Sequence, residues 1–271
     1  MKNKIRLDVL LVRKGLVDSR EKAKALVMAG KVYYNNVRLE KPGQMVDENI
    51  EVIVKGEANP FVSRGGLKLA KAIEVFQLDF KDKFVVDIGS STGGFTDCVL
   101  QNGAAKVYAV DVGYGQLHWT LRNDDRVINL ERTNARYLDE TIIPEKVDFV
   151  VCDVSFISIT KIFPAMQRIL KDNGQVIALI KPQFEAGKDK VGKNGVIKDP
   201  EVHKSVLFNV LQAAEDSGFF IAGLDFSPIR GPEGNIEFLL WLKKIVEVEK
   251  NSIDWFPKVP FLVQQAQLET E

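Results

Sequence analysis

The stretch FVVDIGSSTGGFTD, residues 84–97, carries the strongest fold signal in this chain. An apolar run, an acidic residue and a cluster of glycines follow one another, which is typical of a buried strand that turns tightly into a helix. Further apolar runs recur at helix-length intervals, and the predicted strands are 84–88, 106–111, 127–130, 148–153, 175–181 and 236–241. Alternating strands and helices predict an α/β fold, a mostly parallel sheet with helices on both faces. Ligands of such a sheet lie beyond the carboxyl ends of its strands.

The composition is that of an ordinary globular chain. Of the 271 residues, 45% are apolar, 27% charged and 9% aromatic, which excludes disordered, collagen-like and disulfide-stapled classes. The cysteines Cys98 and Cys152 and the histidines His118 and His203 form no metal-binding pattern, so we expect no metal and a reducing compartment. No apolar run approaches the roughly 20 residues that span a bilayer. We therefore expect a cytoplasmic protein without stable membrane association.

The amino-terminal segment differs in charge from the rest. The whole chain carries 37 basic and 37 acidic residues, but residues 1–41 contain eleven Lys or Arg and four acids, a net charge of +7. This asymmetry favours a polyanionic partner, although a solvated helix face would carry the same charge. Apolar residues at helical spacing between residues 5 and 29 predict two short helices, and strand-like residues follow at 31–36 and 52–54.

The sequence RLDVLLVRKGLVDSREKAKALVMAGKVYYNNVRLEKPGQMV, residues 6–46, resembles the alpha-L RNA-binding domain. That domain occurs in a small-subunit ribosomal protein, pseudouridine synthases and tyrosyl-tRNA synthetases. The resemblance implies a small α+β domain whose two helices and following loop bind structured RNA. The matching basic residues are Arg6, Arg20, Lys22, Lys24 and Lys31.

A short polar stretch with a proline, residues 57–60, predicts a domain boundary. We expect an RNA-binding domain at 1–58, a linker at 59–64 and a second domain at 65–245. For the tail, 246–271, the sequence leaves packing on the sheet and disorder both open.

The glycine loop does not match the common phosphate-binding patterns. A dinucleotide site would have GxGxxG and a Walker loop GK[ST], whereas this loop reads GSSTGG after Asp87 and Ile88. An acidic residue and glycines suit a ligand with a cationic amino-acid end. Asp111, 24 positions after Asp87, ends the next strand, where a carboxylate can hold a ribose diol. A nicotinamide site or a decayed pocket is the alternative.

The loop resembles the S-adenosylmethionine site of class I (Rossmann-like) methyltransferases. In that family the glycines surround the methionine end of the cofactor, and the acidic residue that ends the second strand, here Asp111, holds the ribose. Residues after the third strand flank the adenine. The implied cofactor residues are Asp87, Gly89, Ser90, Gly93, Gly94, Phe95, Asp111, Asn134, Ala135 and Asp153.

The methyl acceptor follows by elimination. An exocyclic-amine enzyme would carry two prolines in the turn after the fourth strand, but that turn reads DVSF from Asp153. A carbon-5 pyrimidine enzyme needs a cysteine nucleophile, but Cys152 lies in an apolar strand and alternation points it away from Asp153. The remaining charged residues form the order seen in RNA ribose 2′-O-methyltransferases: Lys68, Asp153, Lys181 and Glu237.

This tetrad suits a ribose hydroxyl, which is a very poor acid and must share or lose its proton as it attacks the methyl carbon. Lys181 is the expected central residue. It either accepts the proton or stays charged and stabilises the developing alkoxide, and the sequence leaves both open. Asp153 and Glu237 would orient the lysines, while Lys68 would hold a substrate phosphate or the attacking oxygen.

Five motifs together resemble the TlyA/hemolysin A family of ribosomal RNA ribose methyltransferases. They are FVSRGGLKL (61–69), DIGSSTGGFTD (87–97), CDVSFIS (152–158), LIKPQFEAG (179–187) and EFLLWL (237–242). The resemblance implies 2′-O-methylation of cytidine in small-subunit or large-subunit ribosomal RNA, or both. Rival interpretations are a non-catalytic ribosome-assembly factor, a hemolysin-like membrane-active protein and a small-molecule methyltransferase.

Two further segments have two interpretations each. Arg64, in the turn SRGG, either contacts RNA or the domain interface, or simply belongs to a glycine-capped turn. Residues 188–195 are basic and form either a substrate loop or an exposed connection. We expect a monomer that binds ribosomal RNA or ribosomal subunits.

Overall fold

The chain divides into two compact units, Met1–Pro60 and Phe61–Glu271. The computed structural model describes residues 4–17, 19–35, 37–54, 59–192, 195–245 and 254–270. Part of the predicted domain boundary, residues 57 and 58, lies outside these ranges. So do Lys193 and Asn194 of the basic segment.

The first unit is a small α+β module with its own apolar core. Its elements are β1 (Lys4–Arg6), α1 (Leu7–Arg13), α2 (Arg20–Met28), β2 (Val32–Tyr34), β3 (Val37–Arg38), β4 (Met45–Asp47) and β5 (Ile53–Val54). Helix α2 begins after Ser19, whose hydroxyl accepts a hydrogen bond from the Lys22 amide at 3.2 Å. The apolar faces of α1 and α2 bury residues such as Leu11 and Leu26 against each other.

Two antiparallel sheets complete the first unit. Strand β2 pairs with β3 and with β5, and β1 pairs with β4. The two predicted helices and the strands after them are confirmed. The β1–β4 pair was not predicted, because strands of three residues carry too little alternation to be recognised.

The second unit contains a seven-stranded sheet in the order β11-β12-β10-β9-β6-β7-β8. Its strands are β6 (Phe84–Ile88), β7 (Lys106–Val110), β8 (Val127–Leu130), β9 (Val147–Cys152), β10 (Leu170–Ile180), β11 (Phe219–Phe226) and β12 (Phe238–Lys244). Strands β10, β9, β6, β7 and β8 are parallel, while β12 runs antiparallel to both β10 and β11. The predicted mostly parallel sheet is therefore confirmed.

Helices cover both faces of this sheet. They are α3 (Gly65–Phe76), α4 (Gly94–Gln101), α5 (Trp119–Arg122), α6 (Phe163–Ile169), α7 (Pro182–Glu185), α8 (Pro200–Asp216) and α9 (Val259–Glu269). Alternate residues of each strand enter two different cores: Val85 packs with α3 and α4, whereas Val86 packs with α6 and α8. The central strands are therefore buried on both sides, which explains the continuous apolar runs of the sequence.

Part of the segment assigned to a tail is structured. In helix α9 the buried residues Val259, Val263 and Ala266, four and three positions apart, join the core on the α6 and α8 side. Residues 254–270 thus belong to the second unit, and α9 contributes to its core.

Within the described ranges, none of the helices combines the length and the apolar character needed to cross a membrane.

Candidate active site

Two adjoining cavities lie at the carboxyl ends of the parallel strands in the second unit. The larger has a volume of about 570 Å³ and the smaller about 390 Å³. Gly89, Asp153 and Phe156 line both, so the cavities meet where β6 and β9 end. This is the edge at which a sheet of this topology binds its ligands.

The close approach of β6 and β9 depends on a glycine. Gly89 has φ +82°, and a Cβ atom there would lie 2.5 Å from the Asp153 carbonyl oxygen. The Asp153 amide donates a hydrogen bond to the Ile88 carbonyl at 2.9 Å. Only a glycine satisfies both the left-handed backbone and the contact, and this contact holds Asp153 at the shared wall.

A second glycine contact places Lys68. A Cβ atom at Gly94, the first residue of α4, would lie 2.2 Å from the Ser63 hydroxyl and 2.9 Å from the Gly66 amide. The start of α3 therefore packs directly on the start of α4. As a result, Lys68, in the first turns of α3, lies near the carboxyl ends of the strands and lines the larger cavity.

The structure brings together the four residues of the predicted tetrad. The Lys68 ammonium donates a hydrogen bond to Glu237 Oε2 at 2.5 Å and lies 3.8 Å from Asp153 Oδ2. Lys181 forms an ion pair with Asp153 Oδ1. Glu237 is fully buried, and the two lysines are less than a tenth exposed. The chain Lys181–Asp153–Lys68–Glu237 thus alternates two cations with two anions, so its charges balance inside a partly buried site.

Lys181 has a second partner that the sequence did not indicate. Its ammonium donates a hydrogen bond to the Ser155 hydroxyl at 3.1 Å. An ammonium has three N–H groups, so one donor is left for a substrate atom. Ser155 follows Asp153 by two positions, so its place in the motif DVSF was the sequence feature that could have indicated this contact.

Asp87 lies behind the cavity wall. It lines neither cavity and is fully buried, and its Oδ2 accepts a hydrogen bond from the Thr96 hydroxyl at 2.6 Å. Within the described residues its Oδ1 has no hydrogen-bond partner. Burial raises the pKa of this carboxyl to about 7, the Thr96 hydrogen bond lowers it in part, and the nearby Asp153 charge raises it further.

Gly93 also faces away from both cavities. With φ +95°, a Cβ atom there would lie 2.2 Å from Leu121 Cδ1. Its missing side chain gives room to α5 and not to a ligand. Asp87 and Gly93 thus line neither cavity, and their role in the cofactor site stays a prediction.

The other predicted cofactor residues line the cavities. Gly89, Asp111, Asn134, Ala135 and Asp153 line the smaller cavity, and Gly89, Ser90, Gly94, Phe95 and Asp153 line the larger one. The Asp111 carboxylate is oriented by two backbone amides, Ser91 on Oδ2 at 2.8 Å and Gly113 on Oδ1 at 2.7 Å. Each oxygen keeps lone-pair capacity for a diol.

An exposed aromatic ring marks the junction of the cavities. Phe156 is 91% exposed and has φ +64°, a backbone conformation that is costly for an aromatic residue. Its ring lies 5.1 Å from that of Phe184, which lines the larger cavity. Glu185 supports this region, since its carboxylate accepts hydrogen bonds from the Ser158 hydroxyl and the Ile159 amide. The sequence indicated Phe156 only as the aromatic residue of DVSF.

The predicted RNA-binding residues fall on both units. Arg6, Arg20, Lys22, Lys24 and Lys31 belong to the first unit, whereas Arg64 precedes α3 in the second and lines the larger cavity. Fully buried Asp8 holds Arg6 and Arg20 together: Arg6 donates to both of its oxygens at 3.0 and 2.9 Å, and Arg20 donates to Oδ2 at 3.0 Å. The Arg6 hydrogen bonds hold the pKa of Asp8 well below its ordinary value.

The basic segment approaches the larger cavity at two points, since Val191 and Gly195 line it. Asn235 anchors the far end: its side chain donates to the Gly195 carbonyl at 2.8 Å and accepts from the Ile197 amide at 2.9 Å. Of the described residues, no group of three or more His, Cys, Asp or Glu side chains is arranged to hold a metal ion.

Comparison with known proteins agrees with this geometry. The model of the FtsJ-like methyltransferase family matches residues 61–244, and the S4 domain model matches residues 5–52. The second unit therefore has the fold of a methyltransferase. The chain belongs to the TlyA/hemolysin A family of FtsJ-like methyltransferases.

Three relatives illustrate the likeness. A Bacillus subtilis protein provisionally named the rRNA methyltransferase YqxC is 53% identical over 88% of this chain and 85% of its own length. The 16S/23S rRNA (cytidine-2′-O)-methyltransferase TlyA of Mycobacterium tuberculosis is 43% identical over 90% and 91% of the two chains. A solved structure from Streptococcus thermophilus, provisionally described as a hemolysin, is 48% identical, with a TM-score of 0.78 over 99% of this chain and 98% of that one.

Proposed function

We propose that this chain transfers a methyl group from S-adenosylmethionine to the ribose 2′-hydroxyl of a cytidine in ribosomal RNA. The observation that carries the proposal is the buried ion-pair chain Lys181–Asp153–Lys68–Glu237 at the meeting point of two cavities. Four charged residues from four separate segments converge there, at a cost in desolvation that a merely structural role would not require.

The smaller cavity fits the cofactor. Asp111 would offer a carboxylate to the ribose diol, and Asn134 and Ala135 would flank the adenine, since all three line this cavity. Gly89 and Asp153 lie toward the junction with the larger cavity. The cofactor, when bound, supplies a methyl group already activated on a sulfonium. The chain need only place the acceptor in line with that group and manage the charge and proton of the hydroxyl.

The larger cavity would receive the target ribose, and the tetrad would act on its hydroxyl. Lys181, held by Asp153 and Ser155, has one donor left for the attacking oxygen. As an ion-paired ammonium it would stabilise the negative charge that develops on that oxygen. The bond between the methyl group and the sulfonium would break as the oxygen–methyl bond forms, and the hydroxyl proton would pass to water in the open cavity. Asp153 and Glu237 keep both lysines in place.

Phe156 would hold the base of the target nucleotide. Its ring is open to solvent at the junction of the cavities, next to Phe184. A base lifted from an RNA strand can stack on such a ring, and stacking contributes about 1–3 kcal/mol per base. A base stacked there would cover this exposed ring.

The first unit would supply further contacts to the RNA. Arg6 and Arg20 share the buried carboxylate of Asp8, and each side chain is about half exposed. Two arginines fixed in this way are preorganised to meet phosphates, because little side-chain freedom is lost on binding.

The test is methyl transfer from labelled S-adenosylmethionine to unmodified 16S and 23S rRNA transcripts and to ribosomal subunits. Labelled positions are then mapped as alkali-resistant 2′-O-methyl nucleotides. We expect label in a cytidine ribose. Label in a base would show a different methyltransferase. Absence of label in every ribosomal substrate, with cofactor still bound, would favour a ribosome-assembly factor.

A further inference from the structure

Arg230 is a cationic residue of the larger cavity that neither the motifs nor the tetrad includes. It lies between β11 and β12, in the loop that leads to Glu237, and lines the cavity that contains the four tetrad residues. The next residue, Gly231, abuts the tetrad itself, since a Cβ atom there would lie 2.6 Å from Glu237 Oε1. The backbone beside Arg230 is therefore in contact with the proposed catalytic centre.

Two backbone carbonyls hold the Arg230 guanidinium. Its Nε donates to the Thr270 carbonyl and its Nη1 to the Gly234 carbonyl, both at 3.3 Å. Thr270 follows the last residue of helix α9, and its own hydroxyl donates back to the Ala266 carbonyl at 2.6 Å. Thr270 is thus held against the last turn of α9, and its hydrogen bond with Arg230 connects this helix to the larger cavity.

The loop that carries Arg230 is fixed as well. The Gly231 amide donates to the Asn235 carbonyl at 2.9 Å, and the Ser227 amide donates to the Glu237 carbonyl at 2.8 Å. A guanidinium on such a loop, oriented by two carbonyls, has a defined position.

The charges of the cavity favour an anionic ligand for Arg230. In the tetrad two lysines balance two carboxylates. Among the residues that the structure describes, Arg230 and Arg64 have no carboxylate partner, and Glu233 at the exposed rim is the remaining charged lining residue. Carbonyl oxygens orient a guanidinium but do not neutralise it, so its charge stays available to a phosphate.

We propose that Arg230 binds a phosphate of the RNA strand next to the target ribose and thereby aligns the 2′-hydroxyl with the tetrad. The inference rests on the proposed function, since a ribose inside an RNA strand has a phosphate on either side. It gives helix α9 a part in substrate positioning, because the carbonyl at its end holds the guanidinium.

The decisive variant is Arg230→Gln, which keeps a polar side chain but removes the charge. With unmodified rRNA transcripts as substrate, kcat/KM should fall at least about tenfold, mainly through KM for RNA, as expected for a lost charge-assisted contact. The dissociation constant for S-adenosylmethionine should stay unchanged, because Arg230 does not line the smaller cavity. Arg230→Lys should recover part of the loss, since it keeps the charge without the planar fork.

Salt dependence separates a phosphate contact from a structural role. The slope of log Kd for RNA against log salt concentration should be shallower by about 0.7 in Arg230→Gln, the value for one phosphate of a single strand. Arg126→Gln is the matched control, because this arginine pairs with Asp124 and lines neither cavity. It should leave KM and slope unchanged.

The link to α9 has its own variant. A chain shortened after Gln267 loses the Thr270 carbonyl but keeps Val259, Val263 and Ala266 in the core. KM for RNA should rise, and the effect should be smaller than additive when combined with Arg230→Gln.

An unchanged KM and salt slope in Arg230→Gln, with the wild-type chain active on rRNA, would overturn this inference and leave the proposed function intact. A wild-type chain that methylates no ribosomal RNA would overturn both.

Discussion

Lys181 shows how a single residue is placed by tertiary contacts. It follows β10 directly, and its ammonium is held between Asp153 after β9 and Ser155. We expect Lys181→Ala to lower kcat for rRNA methylation by about 10³-fold, equivalent to ~4 kcal/mol of lost transition-state stabilisation. Cofactor and RNA affinity should stay within about twofold, because the lysine acts at the hydroxyl. Single-turnover transfer of labelled methyl, with binding titrations, measures both.

The matched control for Lys181 is Lys204→Ala, which removes a lysine whose partner is Glu201 on the same helix. It should behave as the wild type. Retained turnover in Lys181→Ala would remove this residue from the catalytic centre.

The raised pKa of the single residue Asp87 predicts that the stability of the chain depends on pH. Its pKa in the folded chain is about 7, well above the value of about 4 in an unfolded chain. Between these values the native state keeps a proton that the unfolded chain has released, so the free energy of unfolding falls as pH rises from about 4 to about 7. Urea unfolding of wild type and Asp87→Asn at pH 5 and pH 8 measures this.

We expect the wild type to lose more stability than Asp87→Asn between these two pH values. The asparagine stands in for the protonated acid and does not titrate. Equal losses in both chains would mean that Asp87 does not carry the proton.

At the scale of elements, the loop between β6 and α4 depends on Gly89. In Gly89→Ala the Cβ atom meets the Asp153 carbonyl at 2.5 Å, in addition to the cost of a positive φ. We expect a loss of about 3 kcal/mol or more in the free energy of unfolding, with weaker cofactor binding, because β6 and β9 must move apart. Thermal unfolding and cofactor titration provide the measurements.

Gly115→Ala isolates the backbone contribution. Gly115 has φ +73°, but a Cβ atom there would have nothing within 4 Å, so only about 1 kcal/mol should be lost. If Gly89→Ala were no more destabilised than Gly115→Ala, the contact with Asp153 would not be a constraint.

For some strands the sequence pattern alone was sufficient to predict where they begin and end. The predicted strand 127–130 coincides with β8, and the strand predicted at 84–88 coincides with β6. Charged residues flank the first of these mostly apolar runs, and Lys83 and the glycine turn flank the second. Strand β10 begins at Leu170, five residues earlier than predicted. The residues KDNG at 171–174 interrupt the apolar pattern, so no sequence feature indicated a strand there. The register of β10 against β9 shifts across the same residues, as in a β-bulge.

For the whole molecule, the two units should contribute separately to one reaction. We expect Arg20→Gln to weaken RNA binding by roughly tenfold and to make the salt slope shallower by about one, because one phosphate contact is lost. The cofactor dissociation constant should not change. RNA binding at several salt concentrations and a cofactor titration test this division.

Arg13→Gln is the control within the same unit. Arg13 is 66% exposed and pairs with Glu48, and it is not among the predicted RNA-binding residues. It should change neither affinity nor slope. An equal effect of the two variants would show that the first unit acts through its overall charge and not through Arg20.

The class of fold, the glycine loop and the basic character of the first unit could all be predicted from the chain's residues alone. These features are local: hydrophobic periodicity, glycine spacing and charge are properties of short segments. The resemblance to known methyltransferases added the family, the reaction and the order of the tetrad, whose first and last residues are 169 positions apart.

Which of these residues share a cavity depends instead on how distant segments pack. Asp87 and Gly93 stand close to Gly89 and Gly94 in the motif, but their side-chain positions face α4 and α5 instead of the cavities. Arg230 and Thr270 are 40 residues apart and belong to no common pattern, yet a hydrogen bond joins them beside the larger cavity. Such placements follow from contacts between remote parts of the chain, and no local pattern of residues encodes them.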